Sequence, residues 1–121
     1  MTSMDPLQQL ERKARLWHIV RAAEKIQTFT EGRSPRYYDD ELLASAVERQ
    51  LTIIGEALNR AKQVDPELVA QITDADGIIG LRNQLIHNYP HIDAERIWRI
   101  VEEDLPLLLA EVRALLGASP A

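Results

Sequence analysis

The chain has 121 residues, of which 45% are hydrophobic, so it can bury the core of one domain and is not disordered. It contains no cysteine, which excludes disulfides and thiolate metal sites, and no apolar run approaches the roughly 20 residues of a membrane span. A net charge of −5 argues against a protein that coats nucleic acid through its overall field. The N-terminus lacks the basic-then-apolar plan of a signal peptide, so we expect one cytoplasmic domain over residues 1–121, with its core within about 7–116.

The first two helices are predicted from apolar residues spaced i, i+3, i+4 and i+7. The first should begin near Asp5-Pro6 and end near Gly32, because glycine favours a helix end. The second should begin near Asp39 or Asp40, either of which can cap it. Its apolar stripe consists of Leu43, Val47, Leu51, Ile54, Leu58 and Ala61.

A short helix and a longer one are predicted next. Asp65-Pro66 is typical of a helix start, with an N-cap followed by proline at the first helical position. The longer helix should begin near Asp74 or Asp76 and end near Asn88, because Pro90 forces the residue before it out of helical geometry.

The last helix should be capped by Asp93, with Ile92 packing onto Ile97 at its start. Pro106 lies inside it and should kink it. No strand pattern or repeat is present. The sequence therefore predicts an all-α fold, an antiparallel bundle of about four main helices plus a short one.

The segment Arg82–Tyr89 at the end of the longer helix combines groups that can act on a phosphate. Arginine binds phosphate with a fork of donors, and histidine exchanges a proton near neutral pH. On a helix, Arg82 and His87 lie about 140° apart, whereas Asn83 and His87 share a face. One protomer therefore forms a poor two-residue site, and we expect a homodimer in which two copies of this helix face each other.

With these residues the expected reaction is metal-independent RNA cleavage by the ribose 2′-hydroxyl, with Arg82 on the phosphate and His87 transferring protons. A purely structural interpretation is that Arg82 pairs with an acid such as Glu56, while His87 caps the helix end. Glu56 lies in an apolar stripe and needs a partner when buried, either Arg82 or Arg60. We assign supporting roles to Asn83 and Glu56.

Other candidate sites are weaker. His87 and His91, with Asp93 nearby, have metal-ligand spacing, but Pro90 breaks the helix between them, so we expect no metal. Basic residues that could contact RNA are more simply explained as a solvated helix face and a polar loop; they are Arg12, Lys13, Arg15, Arg33 and Arg36.

The order and spacing of several short segments resemble the HepT-like HEPN toxins over roughly residues 7–116. These segments are Ile54-Gly55-Glu56-Ala57, Gly80-Leu81-Arg82-Asn83, His87-Asn88-Tyr89, Ile92-Asp93, Ile97-Trp98 and Asp104-Leu105-Pro106. The resemblance implies a ribonuclease toxin of a toxin–antitoxin system, with no cofactor. It also implies a nucleotidyltransferase antitoxin as partner, which attaches AMP to Tyr89. A bulky anionic group there would block the site and repel RNA.

Two other functions remain open from the sequence. The chain could be a dimeric binding module, or an accessory subunit of a nucleotidyltransferase, in which Arg82 and His87 only grip a nucleotide. It could also be a purely structural helical adaptor. RNA cleavage by the purified protein separates the enzyme from both.

Overall fold

The computed structural model describes residues 5–34, 36, 39–87 and 93–118, and these residues form helices and connecting turns without a strand. In chain order the helices are α1 (Pro6–Thr30), α2 (Glu41–Val64), α3 (Pro66–Val69), α4 (Ala75–Ile86), α5 (Ala94–Arg99), a π-helical turn (Ile100–Asp104) and α6 (Leu105–Ala118). Because α5, the π-helical turn and α6 are continuous, the bundle has four main helices and one short helix. The all-α fold predicted from the apolar spacing is confirmed.

Aspartates begin most of the helices. Asp5, Asp40, Asp65 and Asp93 each accept a backbone N–H from the first turn through a side-chain oxygen, at 2.8–3.3 Å. These bonds satisfy donors that a helix start leaves free. Helix α4 differs, because its N-cap Asp74 has φ 54° and makes no side-chain capping bond. Helix α4, the motif helix because it carries Arg82 and Asn83 and ends at His87, thus begins where predicted. Its N-cap Asp74 has a left-handed backbone conformation, which is uncommon outside glycine.

One apolar core joins all the helices. The largest side chains that are almost completely buried come from α1, α2, α4 and the last helix; they are Leu16, Ile19, Ile26, Leu51, Ile54, Leu58, Leu81, Ile97, Leu105 and Leu108. They follow the helical spacing read from the sequence, so burial of these stripes fixes the rotation of each helix. No helix in the described ranges is long and apolar enough to cross a membrane.

Helices α2 and α4 lie antiparallel. Lys62 Nζ is 2.7 Å from Asp76 Oδ1 near the start of α4, and Gly55 lies against Arg82 further along both helices. The end of α4 that carries His87 therefore lies alongside the first half of α2. On the opposite side of α4, Asp76, Asn83, Ile86 and His87 are exposed among the described residues.

The turn before α4 is tied to the last helix. The Glu111 carboxylate accepts the Thr73 backbone N–H at 3.1 Å and the Thr73 hydroxyl at 2.9 Å. A carboxylate that accepts two such bonds is well satisfied. The contact holds the start of α4 against α6 and so helps to fix the position of the motif helix.

The break expected at Pro106 is a π-helical turn directly before the proline. The Leu105 N–H donates to the Ile100 carbonyl, five residues back instead of four. Proline has no N–H and its ring clashes with the carbonyl four residues before it, so an undistorted α-helix cannot continue through this position. The wider turn accommodates the proline without ending the helix.

Candidate active site on helix α4

The side chain of Arg82 packs against a glycine of the neighbouring helix α2. A Cβ atom at Gly55 would overlap Arg82 Cβ, and it would lie 2.8 Å from Arg82 Cγ and 3.3 Å from the Ile78 carbonyl oxygen. Only glycine allows the arginine stem to lie this close to the α2 backbone. The close helix approach expected at Gly55 is present, and its consequence is a fixed path for the Arg82 side chain.

The Arg82 guanidinium is held by two polar neighbours. Its Nη1 donates to Asn83 Oδ1 at 2.8 Å, and its Nη2 is 3.7 Å from Glu56 Oε1. Its Nε is buried and has no hydrogen-bond partner among the described residues. The side chain is only 22% exposed, so the stem is packed while the tip remains accessible. A guanidinium has five N–H donors, so these contacts leave donors free for an anion.

Of the two partners proposed for Glu56, the structure shows Arg82. The carboxylate pairs with Arg82, but its side chain is 49% exposed. Glu56 is not buried, because the rotation of α2 puts Gly55, and not Glu56, against α4. An exposed pair at 3.7 Å contributes little stability, so Glu56 orients Arg82 more than it stabilises the fold.

His87 is the C-cap of α4. Its backbone N–H donates to the Asn83 carbonyl at 3.2 Å, and its ring is exposed. Within the described ranges no hydrogen bond joins the ring to Arg82, Asn83 or Glu56. The structure therefore brings Arg82, Asn83 and Glu56 together and leaves His87 separate at the helix end. Tyr89, the expected acceptor of AMP, lies outside the described residues, as do Asn88 and His91.

The outer face of α4 is open between Arg82 and His87. Asn83 and His87 are exposed there, and Ile86 is 44% exposed. A Cβ at Gly80 would meet no atom within 4 Å in the part of the chain that the structure describes, so neither packing there nor backbone geometry requires this glycine. A helical glycine costs about 1 kcal/mol relative to alanine. A partly apolar, exposed face with an unexplained glycine suits close contact with another helix.

The opposite flank of α4 contains contacts that the sequence did not reveal. Gln84 Oε1 accepts a hydrogen bond from Arg96 Nη1 of α5 at 2.7 Å. Sequence patterns cannot indicate this pair, because it depends on how α5 is rotated against α4. The only available signal was a basic residue early in the last helix.

A small cleft of about 150 Å³ lies beside the start of α4, and its charged lining consists of two aspartates and two arginines. It is lined by Asp74, Gly77, Ile78, Arg96, Arg99, Ile100 and Asp104. The pKa of Asp104 is raised above its usual value by burial and by the charges of Asp74 and Glu103, although Arg99 opposes this. Because its two aspartates offset its two arginines, the cleft offers a phosphate no net positive charge. Among the described residues no three His, Asp or Glu side chains group as metal ligands.

A family model for HepT-like ribonucleases matches residues 19–115 of the chain, a range that contains α4 and its neighbours. The match covers more than half of the sequence and includes Glu56, Arg82, Asn83, His87 and Tyr89. No solved structure matches the chain significantly.

Individual relatives agree with the family match. A protein of Methanocaldococcus jannaschii, provisionally named an RNase, is 35% identical over 101 residues, which is 83% of this chain and 92% of the relative. A protein of Thermococcus cleftensis, provisionally named a HepT ribonuclease, is 34% identical over 80% of this chain and 88% of its own length. A third, from Caldanaerobacter subterraneus and also provisionally an RNase, is 29% identical over 84% and 90%.

Proposed function

The chain belongs to the HepT-like ribonuclease family, and from this premise we propose that it cleaves RNA with Arg82 and His87, without a metal ion. The observation that carries the proposal is the packing of Arg82 against Gly55. The Arg82 stem is packed against Gly55, and its guanidinium contacts Asn83 and Glu56. These contacts hold the guanidinium at the edge of an exposed helix face. Such a preorganised cation stabilises the charge that develops on a phosphate during cleavage.

The reaction is transesterification within the RNA strand. The ribose 2′-oxygen attacks the adjacent phosphorus while a neutral His87 takes its proton. The bond from phosphorus to the 5′-oxygen breaks, and a protonated His87 gives that oxygen a proton. The products carry a 2′,3′-cyclic phosphate and a 5′-hydroxyl. Arg82 neutralises the phosphate, while Glu56 and Asn83 keep the guanidinium in place.

Two copies of the chain complete the site in this proposal. Arg82 and His87 point about 140° apart on one helix, so they do not converge within a protomer. A two-fold axis across the outer face of α4 brings two arginines, two asparagines and two histidines into one cleft. One histidine then acts as the base and the other as the acid. The open surface at Gly80 and the exposed Ile86 support contact through this face.

Gly80→Leu should separate the dimer and reduce cleavage. The protomer has room for the side chain, but two bulky groups at a two-fold contact add overpacking of about 1–3 kcal/mol each. Light scattering at micromolar concentration measures the mass, and a gel assay measures cleavage. The control is Gly117→Leu, at another helical glycine with open space, which should keep the dimer. An active wild-type monomer would exclude the shared cleft.

Metal-independent cleavage is tested by incubating the purified protein with an RNA, once in EDTA and once in Mg²⁺, and comparing the cleavage rates. We expect cleavage at an unchanged rate in EDTA, because Arg82 supplies the positive charge that a metal ion would otherwise provide. A DNA of the same sequence should not be cut, since it lacks the 2′-hydroxyl. Strict dependence on Mg²⁺, or products with a 5′-phosphate, would rule out this mechanism.

For regulation, we propose that the chain is the toxin of a toxin–antitoxin pair in the cytoplasm. Its partner would be a nucleotidyltransferase that silences it by attaching AMP to Tyr89. Family membership and the position of Tyr89, two residues after His87, support this role. An added nucleotide would place bulk and negative charge next to the phosphate site.

A second candidate is a binding module or an accessory subunit of a nucleotidyltransferase. The contacts of Arg82 with Glu56 and Asn83, and the position of His87 as the C-cap, also fit residues with only structural or ligand-gripping roles. Such a module would bind RNA or a nucleotide without cutting it. The cleavage assay therefore discriminates the two candidates.

A further inference from the structure

Arg96 is a partly buried cation held by a neutral group. Its Nη1 donates to the Gln84 amide oxygen at 2.7 Å in a partly buried hydrogen bond. The ion pairs among the described residues involve Arg12, Lys62, Arg82 and Arg113, but not Arg96. Arg96 also lines the cleft at the start of α4, where Arg99 is the arginine whose charge lowers the pKa of Asp104. Among the described residues Arg96 therefore has a hydrogen bond to a neutral amide but no ion pair.

The position of Gln84 places Arg96 beside the proposed site. Gln84 and His87 are three residues apart, which separates them by about 60° around the axis of α4 and about 4.5 Å along it. Gln84 and Arg82 are about 160° apart and lie on opposite flanks. The exposed face with Asn83 and His87 therefore has a guanidinium on each side, Arg82 from α4 itself and Arg96 from α5.

We infer that Arg96 binds a second phosphate of the RNA, next to the one that is cleaved, with Gln84 as its positioning residue. The inference rests on the proposed function, because the substrate must be a polyanion that crosses the outer face of α4. Gln84 occupies one of the five N–H donors of Arg96 and neutralises none of its charge. The remaining donors match a phosphate, which Arg can bind with two parallel hydrogen bonds.

The test uses an RNA with a 2′-O-methyl group at the cleaved nucleotide, so that binding is measured without cleavage. The dissociation constant is determined over a series of KCl concentrations. Arg96→Gln should weaken binding about tenfold at low salt. The plot of log Kd against log [KCl] should also become shallower. Its slope should fall by about 0.7 for one lost phosphate contact on a single strand, or by twice that if both sites of a dimer bind one RNA. With cleavable RNA, KM should rise by the same factor while kcat changes little.

Three further variants separate phosphate binding from a structural tether. Gln84→Met removes the tether but keeps the charge of Arg96, so it should preserve the salt slope. Arg96→Lys should also preserve the slope while losing part of the affinity. Arg21→Gln, the same charge change at an exposed position on α1, should match the wild type. Thermal melts of all four variants check that the fold is intact.

Each outcome decides the inference. A wild-type slope and KM in Arg96→Gln would overturn it, and so would a loss of slope in Gln84→Met equal to that in Arg96→Gln. If the wild type binds the RNA but cleaves none, the ribonuclease proposal fails while the slopes still decide the role of Arg96. If the wild type binds no RNA at all, the inference falls with the proposed function.

Discussion

Arg82→Ala should lower RNA cleavage by about 10²–10³-fold and relieve growth arrest in cells that express the chain. The loss follows from removing a preorganised donor to the phosphate, an interaction with this typical magnitude in other enzymes. His87→Ala should cost about 10²–10⁴-fold, the usual contribution of a positioned acid or base. Single-turnover cleavage of a defined RNA measures both effects, and a growth assay follows the arrest.

Both variants should remain folded, which makes the loss informative. His87 is exposed, and the tip of Arg82 contributes only an exposed ion pair and a bond to its neighbour Asn83. Arg113→Ala is the matched control. It removes an arginine of α6 whose Nη2 lies 2.7 Å from Glu24 Oε2 of α1, so the pair does not involve α4. His18→Ala removes another exposed histidine, on α1. Both controls should cleave normally; cleavage by Arg82→Ala or His87→Ala at the wild-type rate would contradict the proposed site.

Tyr89→Phe should keep the chain toxic even when the nucleotidyltransferase partner is co-expressed. The substitution retains the aromatic ring and removes only the hydroxyl that accepts AMP. Wild-type chain should be silenced under the same conditions and should carry the adduct on the peptide that contains Tyr89. Colony counts with and without the partner, together with peptide mass spectrometry, measure the two effects. Tyr37→Phe is the control, since it makes the same change at another tyrosine.

Two results would count against Tyr89 as the control point. An adduct on a different residue would move the modification elsewhere. Full silencing of Tyr89→Phe by the partner with no adduct would favour simple masking of the site by a bound protein. In either case the catalytic roles of Arg82 and His87 would still stand on the cleavage assay.

The helices were predictable because their determinants are local. Asp5, Asp40, Asp65 and Asp93 cap helices as their positions in the sequence indicated, and apolar spacing indicated which faces are buried. The form of the break near Pro106 was not predictable. Proline excludes one backbone donor, but whether the chain kinks, ends or widens into a π-helical turn depends on packing against the rest of the bundle.

The candidate site was only partly predictable, for a similar reason. The motif itself is contiguous, so Arg82, Asn83 and His87 could be selected from spacing alone. The exposure of Glu56 and the bond between Gln84 and Arg96 depend on rotations of α2 and α5 that are set by distant core residues. A single sequence carries no direct signal for such rotations. Whether two protomers meet across α4 stays a prediction.

The π-helical turn makes the length of the last helix matter. An α-helix turns 100° per residue, and the wide turn at Ile100–Asp104 takes up one residue more than a normal turn. Ile97 before it and Leu105 and Leu108 after it therefore all face the core. Deleting one residue in this segment would remove the extra residue and the wide turn together, so α6 would keep its apolar face on the core. One residue inserted elsewhere in the last helix, where no wide turn takes it up, would rotate α6 by about 100°. The wide turn is therefore the place in the last helix where a change of length should disturb the buried face least.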